Sequence, residues 1–337
     1  MTELKHQSAT SLITKLGSVD AQTRRAALSE LHLLTKTDPS LRPILASLGA
    51  IPFLSDTLYS SSHDAQSAAA AALLNISITT PQSLLDTPGL LDTISYTLMD
   101  DHTSPTTLQC CAATLTSLMI DEGARPIIGS KRDIVYALVR IVKKHDQYDG
   151  RSLRDVLRAL FGIVLWEGNR GSVIELGGVE ALFRVVKRDG RKGLVEDALA
   201  VIGQVAGCRE SWEGFGKVDG VRVFVGIMCE AGCGTRVKEN AVAGVLNLVR
   251  FGGGNVREEV LGMMGEEAVE GVMEMADFGT PRGKSKATAL IDVLGLNSVL
   301  DHGRHPDSYP DCDCGRDHGH GSGSGSFSGS SSGDHSL

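Results

Sequence analysis

Aromatic residues make up only 4% of the 337 residues, and just two of them are tryptophan. That scarcity argues against a large aromatic-lined pocket and against the clustered stacking platforms that hold single-stranded nucleic acid. No stretch approaches the roughly 18 uninterrupted apolar residues of a membrane span. The opening Met1-Thr-Glu-Leu-Lys-His lacks the apolar core of a secretory signal. The seven cysteines include a neighbouring pair, Cys110 and Cys111, whose side chains would diverge on a helix, and their spacings suggest no disulfide framework. A reducing compartment, cytoplasmic or nuclear, is therefore expected. Catalytic patterns are missing too. Gly232-Cys-Gly234 and Gly252-Gly-Gly254 are glycine-rich, but no phosphate-loop lysine follows them, and no zinc-protease helix, nucleophile elbow or kinase motif set is present. No enzymatic chemistry, cofactor or metal site is expected.

What the chain does have is one helical phrase that returns about every 42 residues. It reads Ala27-Leu28, Leu31 and Leu34, then Ala69-Ala70, Leu73 and Ile76, then Cys111-Ala112, Leu115 and Leu118. Further copies run through Leu160, Ile202 and Val245 to a degraded last one at Ala287, Leu290 and Val293. Equivalent positions from Leu31 to Leu290 lie 42, 42, 45, 42, 43 and 45 residues apart. A fixed period in this range marks a helical solenoid, in which no unit can bury its apolar face alone.

The punctuation is periodic as well. Leu48-Gly49-Ala50-Ile51 is matched by Leu176-Gly177-Gly178-Val179, and Gly89, Gly220 and Gly265 fall near the same phase. Glycine there can take the left-handed conformation that ends one helix and turns the chain into the next. A second apolar-periodic segment follows each turn, so a unit of about 42 residues holds three helices, the armadillo/HEAT class. The expected fold is all-α: a right-handed armadillo-repeat α-solenoid of about seven repeats over residues 8–298, after an N-terminal extension, residues 1–7.

Particular segments carry a closer resemblance. Leu48-Gly-Ala-Ile-Pro-Phe-Leu, Ala72-Leu-Leu-Asn-Ile-Ser-Ile, Ile128-Gly-Ser-Lys-Arg-Asp-Ile, Lys238-Glu-Asn-Ala-Val-Ala-Gly-Val-Leu-Asn-Leu and Gly283-Lys-Ser-Lys-Ala-Thr-Ala-Leu-Ile look like armadillo repeats of plant U-box ubiquitin ligases. The resemblance implies substrate or regulator recognition in ubiquitin signalling. It does not imply ligase catalysis, because the catalytic partner is recruited by a separate N-terminal U-box that seven residues cannot house. The alternative is a truncated product of an active U-box ubiquitin-protein ligase.

Counting each third helix from the position of Asn75, taken as zero, apolar residues occupy −6, −5, −2 and +1. Positions −8, −4 and zero then form one stripe facing elsewhere. In armadillo proteins this stripe lines the concave groove, so the resemblance makes Asn75, Ser117, Arg154, Arg158, Gln204 and Asn247 the candidate contacts for an extended partner segment. Asn75 and Asn247 match the family's groove asparagine, whose amide suits a passing main chain because it both donates and accepts; the competing reading is an ordinary helix-surface asparagine. Arg154 and Arg158 stand one turn apart, and guanidinium forks suit carboxylate or phosphate groups. An acidic or phosphorylated protein segment is the expected partner; intrahelical pairing with Asp155 is the competing reading. The row at −4, which reads Ser29, Ala71, Ala113, Arg158, Ala200, Ala243 and Thr288, lacks the tryptophans of nuclear import receptors.

Charge is uneven. Between Arg125 and Lys192 there are 15 Lys/Arg against 8 Asp/Glu, although the whole chain carries −8. Neither a broad basic footprint nor clustered aromatics point to nucleic acid. After Val299 the composition shifts to Gly, Ser and His, with almost no apolar side chains, and disorder is expected over residues 299–337. Cys312-x-Cys314 and His318-x-His320 are too tightly spaced for one tetrahedral zinc.

Overall fold

The computed structural model describes residues 2–297 other than 231 and 254. The expectations for the tail at 299–337, its Cys and His pairs included, lie outside the described residues. Among the described residues every regular element is helical, and no helix is long and apolar enough to cross a membrane. The helices sort into seven stacked units. Unit 1 has two, Thr2–Leu16 and Ala21–Thr37. Units 2 to 7 each have a short first helix, a second helix and a long third helix. The third helices are Ala21–Thr37, His63–Ser77, Pro105–Leu118, Gly150–Val164, Lys192–Val205, Thr235–Phe251 and Pro281–Leu294. Each packs on the next in order, so the core is a continuous column. The phrase leucines and their equivalents fill it: Leu31, Leu115, Val245 and Leu290 are fully buried, and Leu73, Leu160 and Ile202 nearly so. The extension expected at the N-terminus is not separate. From Thr2 onward it is the start of the first helix, and Lys5 holds Asp38 at 2.6 Å.

Helix starts explain the punctuation. Asp20, Ser62, Ser104, Asp149 and Thr280 each accept a hydrogen bond from a backbone N–H of the third helix they precede. This satisfies one of the donors that a helix leaves orphaned at its N-terminus. The turn into the second helix uses left-handed Gly49, Gly89 and Gly177, as expected. Unit 6 departs: Asp219 takes the left-handed conformation (φ 54°), while Gly220 serves close packing. A Cβ on Gly220 would stand 2.7 Å from the Phe183 ring and 2.8 Å from the Phe215 ring. Gly265 is extended, with φ −82°. The Phe183, Phe215 and Phe224 rings sit 5.2–5.8 Å apart at the junction of units 5 and 6, where the aliphatic core gives way to an aromatic one.

Candidate functional site

The third-helix stripe is two kinds of surface. Its ends stitch units together, and its middle is open. At −8 the side chain reaches forward in several units. The Ser67 hydroxyl lies 3.0 Å from that of Ser104 and 2.9 Å from that of Thr107, both in the next unit. Arg154 pairs with Asp197 at 3.6 Å, its guanidinium lying over Gly193, where a Cβ would be only 2.3 Å from Nη2. Buried Glu239 accepts a short hydrogen bond from Thr280, the residue that caps the last third helix. At zero the reach is backward. Asn75 donates from Nδ2 to the Thr35 hydroxyl at 3.3 Å, and Asn247 donates from Nδ2 to the Gly203 carbonyl at 2.7 Å. Gly162 lies beneath Met119 of unit 3, with 2.8 Å between its would-be Cβ and the Met119 methyl. The −4 row of mostly small residues leaves the middle of the stripe shallow, with Ala71, Ala113 and Ala200 half-buried.

The six candidates therefore differ in what they can offer a partner. No donor among the described residues reaches Oδ1 of Asn75 or Asn247, and neither oxygen is buried. Gln204 is half-buried and its amide makes no hydrogen bond among the described residues. The Ser117 hydroxyl oxygen, in contrast, is buried and has no partner among the described residues. Arg158 pairs with Asp155 at 3.4 Å on its own helix, and Arg154 with Asp197 across the unit boundary. Burial raises the Asp197 carboxyl above its usual range, while Arg158 and Arg154 oppose that shift. The two guanidinium groups thus sit in a mixed-charge cluster. Cys110 on the same helix as Ser117 is no nucleophile: burial first, then Asp155, pushes its thiol up to about 11.

Most of the central basic block is consumed in stitching. Lys131 pairs with Asp92 at 2.7 Å, Arg132 with Glu175 at 3.1 Å, and Arg140 and Lys144 both with Asp101. Arg184 donates to the Lys143 carbonyl and Lys187 to the Val218 carbonyl. One set is periodic and was not foreseen. Arg42, Arg125 and Arg170, each on or beside a first helix, donate from Nε to the Thr35, Met119 and Val164 carbonyls at the end of the preceding third helix. A cation there satisfies orphan carbonyls and suits the helix dipole. Its only sequence signal is an arginine seven, six or six residues after the carbonyl it binds.

Three helices per unit, with the long third helices stacked in order, define an armadillo-repeat solenoid. Comparison with known proteins narrows this further. The family model for the plant U-box protein ARM repeat region matches residues 8–298, and the chain belongs to that family. It is 30% identical over 285 residues to U-box domain-containing protein 16 of Arabidopsis thaliana, covering 84% of this chain and 40% of that protein. With U-box domain-containing protein 17 of the same plant the identity is 32%, over 82% of this chain and 37% of the relative. The chain thus spans about 40% of the length of these curated relatives. Among solved structures, an engineered protein aligns with a TM-score of 0.74 at 18% identity, covering 88% of this chain and 71% of the other. A structure concerned with the interaction between cadherin and beta-catenin aligns at 0.71 and 15% identity, over 88% of this chain and 56% of the other. At such identities these last two speak for the fold alone.

Proposed function

We propose that this chain is a non-catalytic recognition scaffold that holds an extended protein segment along its third-helix stripe, in the context of ubiquitin signalling. The observation that carries the reading is the state of the two asparagines. Each amide is pinned through Nδ2 to the preceding unit, which orients the accessible Oδ1 as an acceptor for a passing main-chain N–H. A fixed acceptor loses little freedom on binding, which favours affinity. Gln204, one unit before Asn247, adds an amide with both functions. An acidic side chain on the partner would meet Arg154 and Arg158 already facing Asp197 and Asp155, an exchange of one carboxylate for another. A phosphorylated residue gains more there, because it brings nearly two charges and three acceptor oxygens. The ubiquitin context is supported by the names of the relatives.

Selection of displayed random peptides against the full chain tests the reading. Enriched peptides should lose affinity for Gln204→Ala and for Arg158→Glu, whose side chain pairs only within its own helix among the described residues. Peptides that bind both variants as well as the parent would place recognition elsewhere. The alternative, a truncated product of an active U-box ligase, is tested by reading the genomic sequence upstream of the Met1 codon for a U-box exon.

A further inference from the structure

The chain turns from each third helix into the next unit along one rim. In three consecutive units that rim carries large apolar side chains standing in water: Ile78 is 60% exposed, Ile120 78% and Trp166 48%. They lie three or four residues beyond the zero positions Asn75, Ser117 and Gly162, at equivalent places in the turns that follow adjacent, packed third helices. Ile127, half exposed, joins them from the first helix of unit 4, Ala124–Gly129, which packs on the Glu167–Asn169 turn that follows Trp166. Clustered exposed apolar groups of this kind mark interaction sites.

The exposed charges beside the row have one sign. Asp121, Glu122 and Glu167 are exposed in the same connectors, and Asp86 at the far end of the five-residue helix Pro81–Leu85 that follows Ile78. Arg125 meets Glu122 at 3.0 Å, but its Nε, like that of Arg170, is turned to a backbone carbonyl. The other three carboxylates have no cation within salt-bridge distance among the described residues. Spacing selects the partner's conformation. Packed helices lie about 8–10 Å apart. A polyproline II segment repeats every three residues, a rise of about 9.3 Å. It can therefore offer one side chain per unit on one face. An α-helix advances about 10.5 Å only over seven residues and would bring two turns of other residues for every anchor.

We propose that the rim of units 2 to 4 is a docking site for a polyproline II segment with an apolar residue at every third position and Lys or Arg between. The site is separate from the groove and opposite to it in charge preference, so either can fail alone. Fluorescence anisotropy with the full chain and three labelled peptides tests it: repeated Leu-Lys-Pro, Leu-Glu-Pro and Ser-Lys-Pro. The first should bind saturably, and the other two roughly tenfold or more weakly, a difference of about 1.4 kcal/mol. Ile120→Lys should remove the preference for the first peptide with an unchanged circular-dichroism melt, because Ile120 touches little of the core. The double change Asp121→Lys with Glu167→Lys should shift preference to Leu-Glu-Pro. Equal binding of the Leu-Lys-Pro and Ser-Lys-Pro peptides, no saturable binding of the first, or full binding by the Ile120→Lys variant would each overturn the proposal.

Discussion

Truncating Leu115 to alanine tests the stacking argument most directly. The side chain is fully buried on Pro105–Leu118, which is clasped by the third helices on both sides, His63–Ser77 and Gly150–Val164. Losing three carbons at about 0.8 kcal/mol per buried methylene costs about 2.4 kcal/mol. The backbone on either side is locked by its own helical bonds, so the site cannot collapse, and a residual cavity raises the total to about 2.7–5 kcal/mol. In a solenoid, stability is a sum of unit and nearest-neighbour terms, so the damage should be local. Hydrogen exchange followed by mass spectrometry should show lost protection across residues 63–164 first, with Thr235–Phe251 close to the parent. Urea unfolding should give the energy, or a broadened transition if the weakened unit decouples the two ends. Uniform loss of protection along the array, or a cost below about 1 kcal/mol, would refute the placement of Leu115 between locked neighbours.

Two glycines should respond with opposite signs. Gly226→Ala on the second helix Gly220–Cys229 meets open space and should stabilise by about 1 kcal/mol through helix propensity. Gly244→Ala places a methyl 2.5 Å from the enclosed Phe224 ring and should destabilise, overpacking costing about 1–3 kcal/mol; thermal melts of the two variants check both. Asp38 is held down to about 2 by the Lys5 ammonium and the Ser40 hydroxyl. A lowered folded-state pKa means that its contribution is present above 3.8 and lost as pH falls toward 2, so exchange protection of Thr2–Leu16 should drop in that window and recover in neutral buffer. Asn247→Ala should cost about 1–2 kcal/mol of stability, since it strands the Gly203 carbonyl now bonded at 2.7 Å, and Asn75→Ala should cost less for its longer bond at 3.3 Å. Equal melting temperatures for the two asparagine variants would count against that assignment.

The array was legible because burial imposes a period. Every unit must present −6, −5, −2 and +1 to its neighbours, so Leu31 through Leu290 repeat, and the sequence alone locates all seven third helices. Capping residues at 20, 62, 104, 149 and 280 carry the same period and could have been found by the same search. The sequence placed the stripe on one side of each third helix but carried no sign of its division of labour. Helical periodicity says which side of a helix a residue occupies. It says nothing of whether Arg154 will be met by Asp197 across a boundary, or whether the Ser117 hydroxyl will be covered. Those depend on the stagger between units, which a 42-residue unit and a 45-residue unit set differently. The fate of the charge excess was hidden for a related reason. A count of charges does not show that Lys131, Arg132, Arg140 and Lys144 have partners, because Asp92, Glu175 and Asp101 sit about forty residues away, in adjacent units.

That division of labour decides how the groove should be probed. Substituting Asn75, Arg154 or Asn247 removes a possible ligand contact and a bond between units together, so lost binding cannot be assigned to either. The −4 row escapes the ambiguity. Ala200 is half-buried on Lys192–Val205, between Glu196 and Gln204 on the stripe, and its methyl group makes no polar contact with a neighbouring unit. Ala200→Glu keeps good helix propensity and projects a charged chain over the open middle of the stripe. It should leave the melting temperature within a degree or two, consistent with surface changes inside about 0.5 kcal/mol. It should also abolish binding of any peptide that runs past Gln204, and weaken phosphorylated ones most by placing a negative charge beside Arg154 and Arg158. A groove ligand that tolerates Ala200→Glu cannot lie along this stripe. A variant that melts well below the parent would show that the −4 row, too, is part of the packing between units.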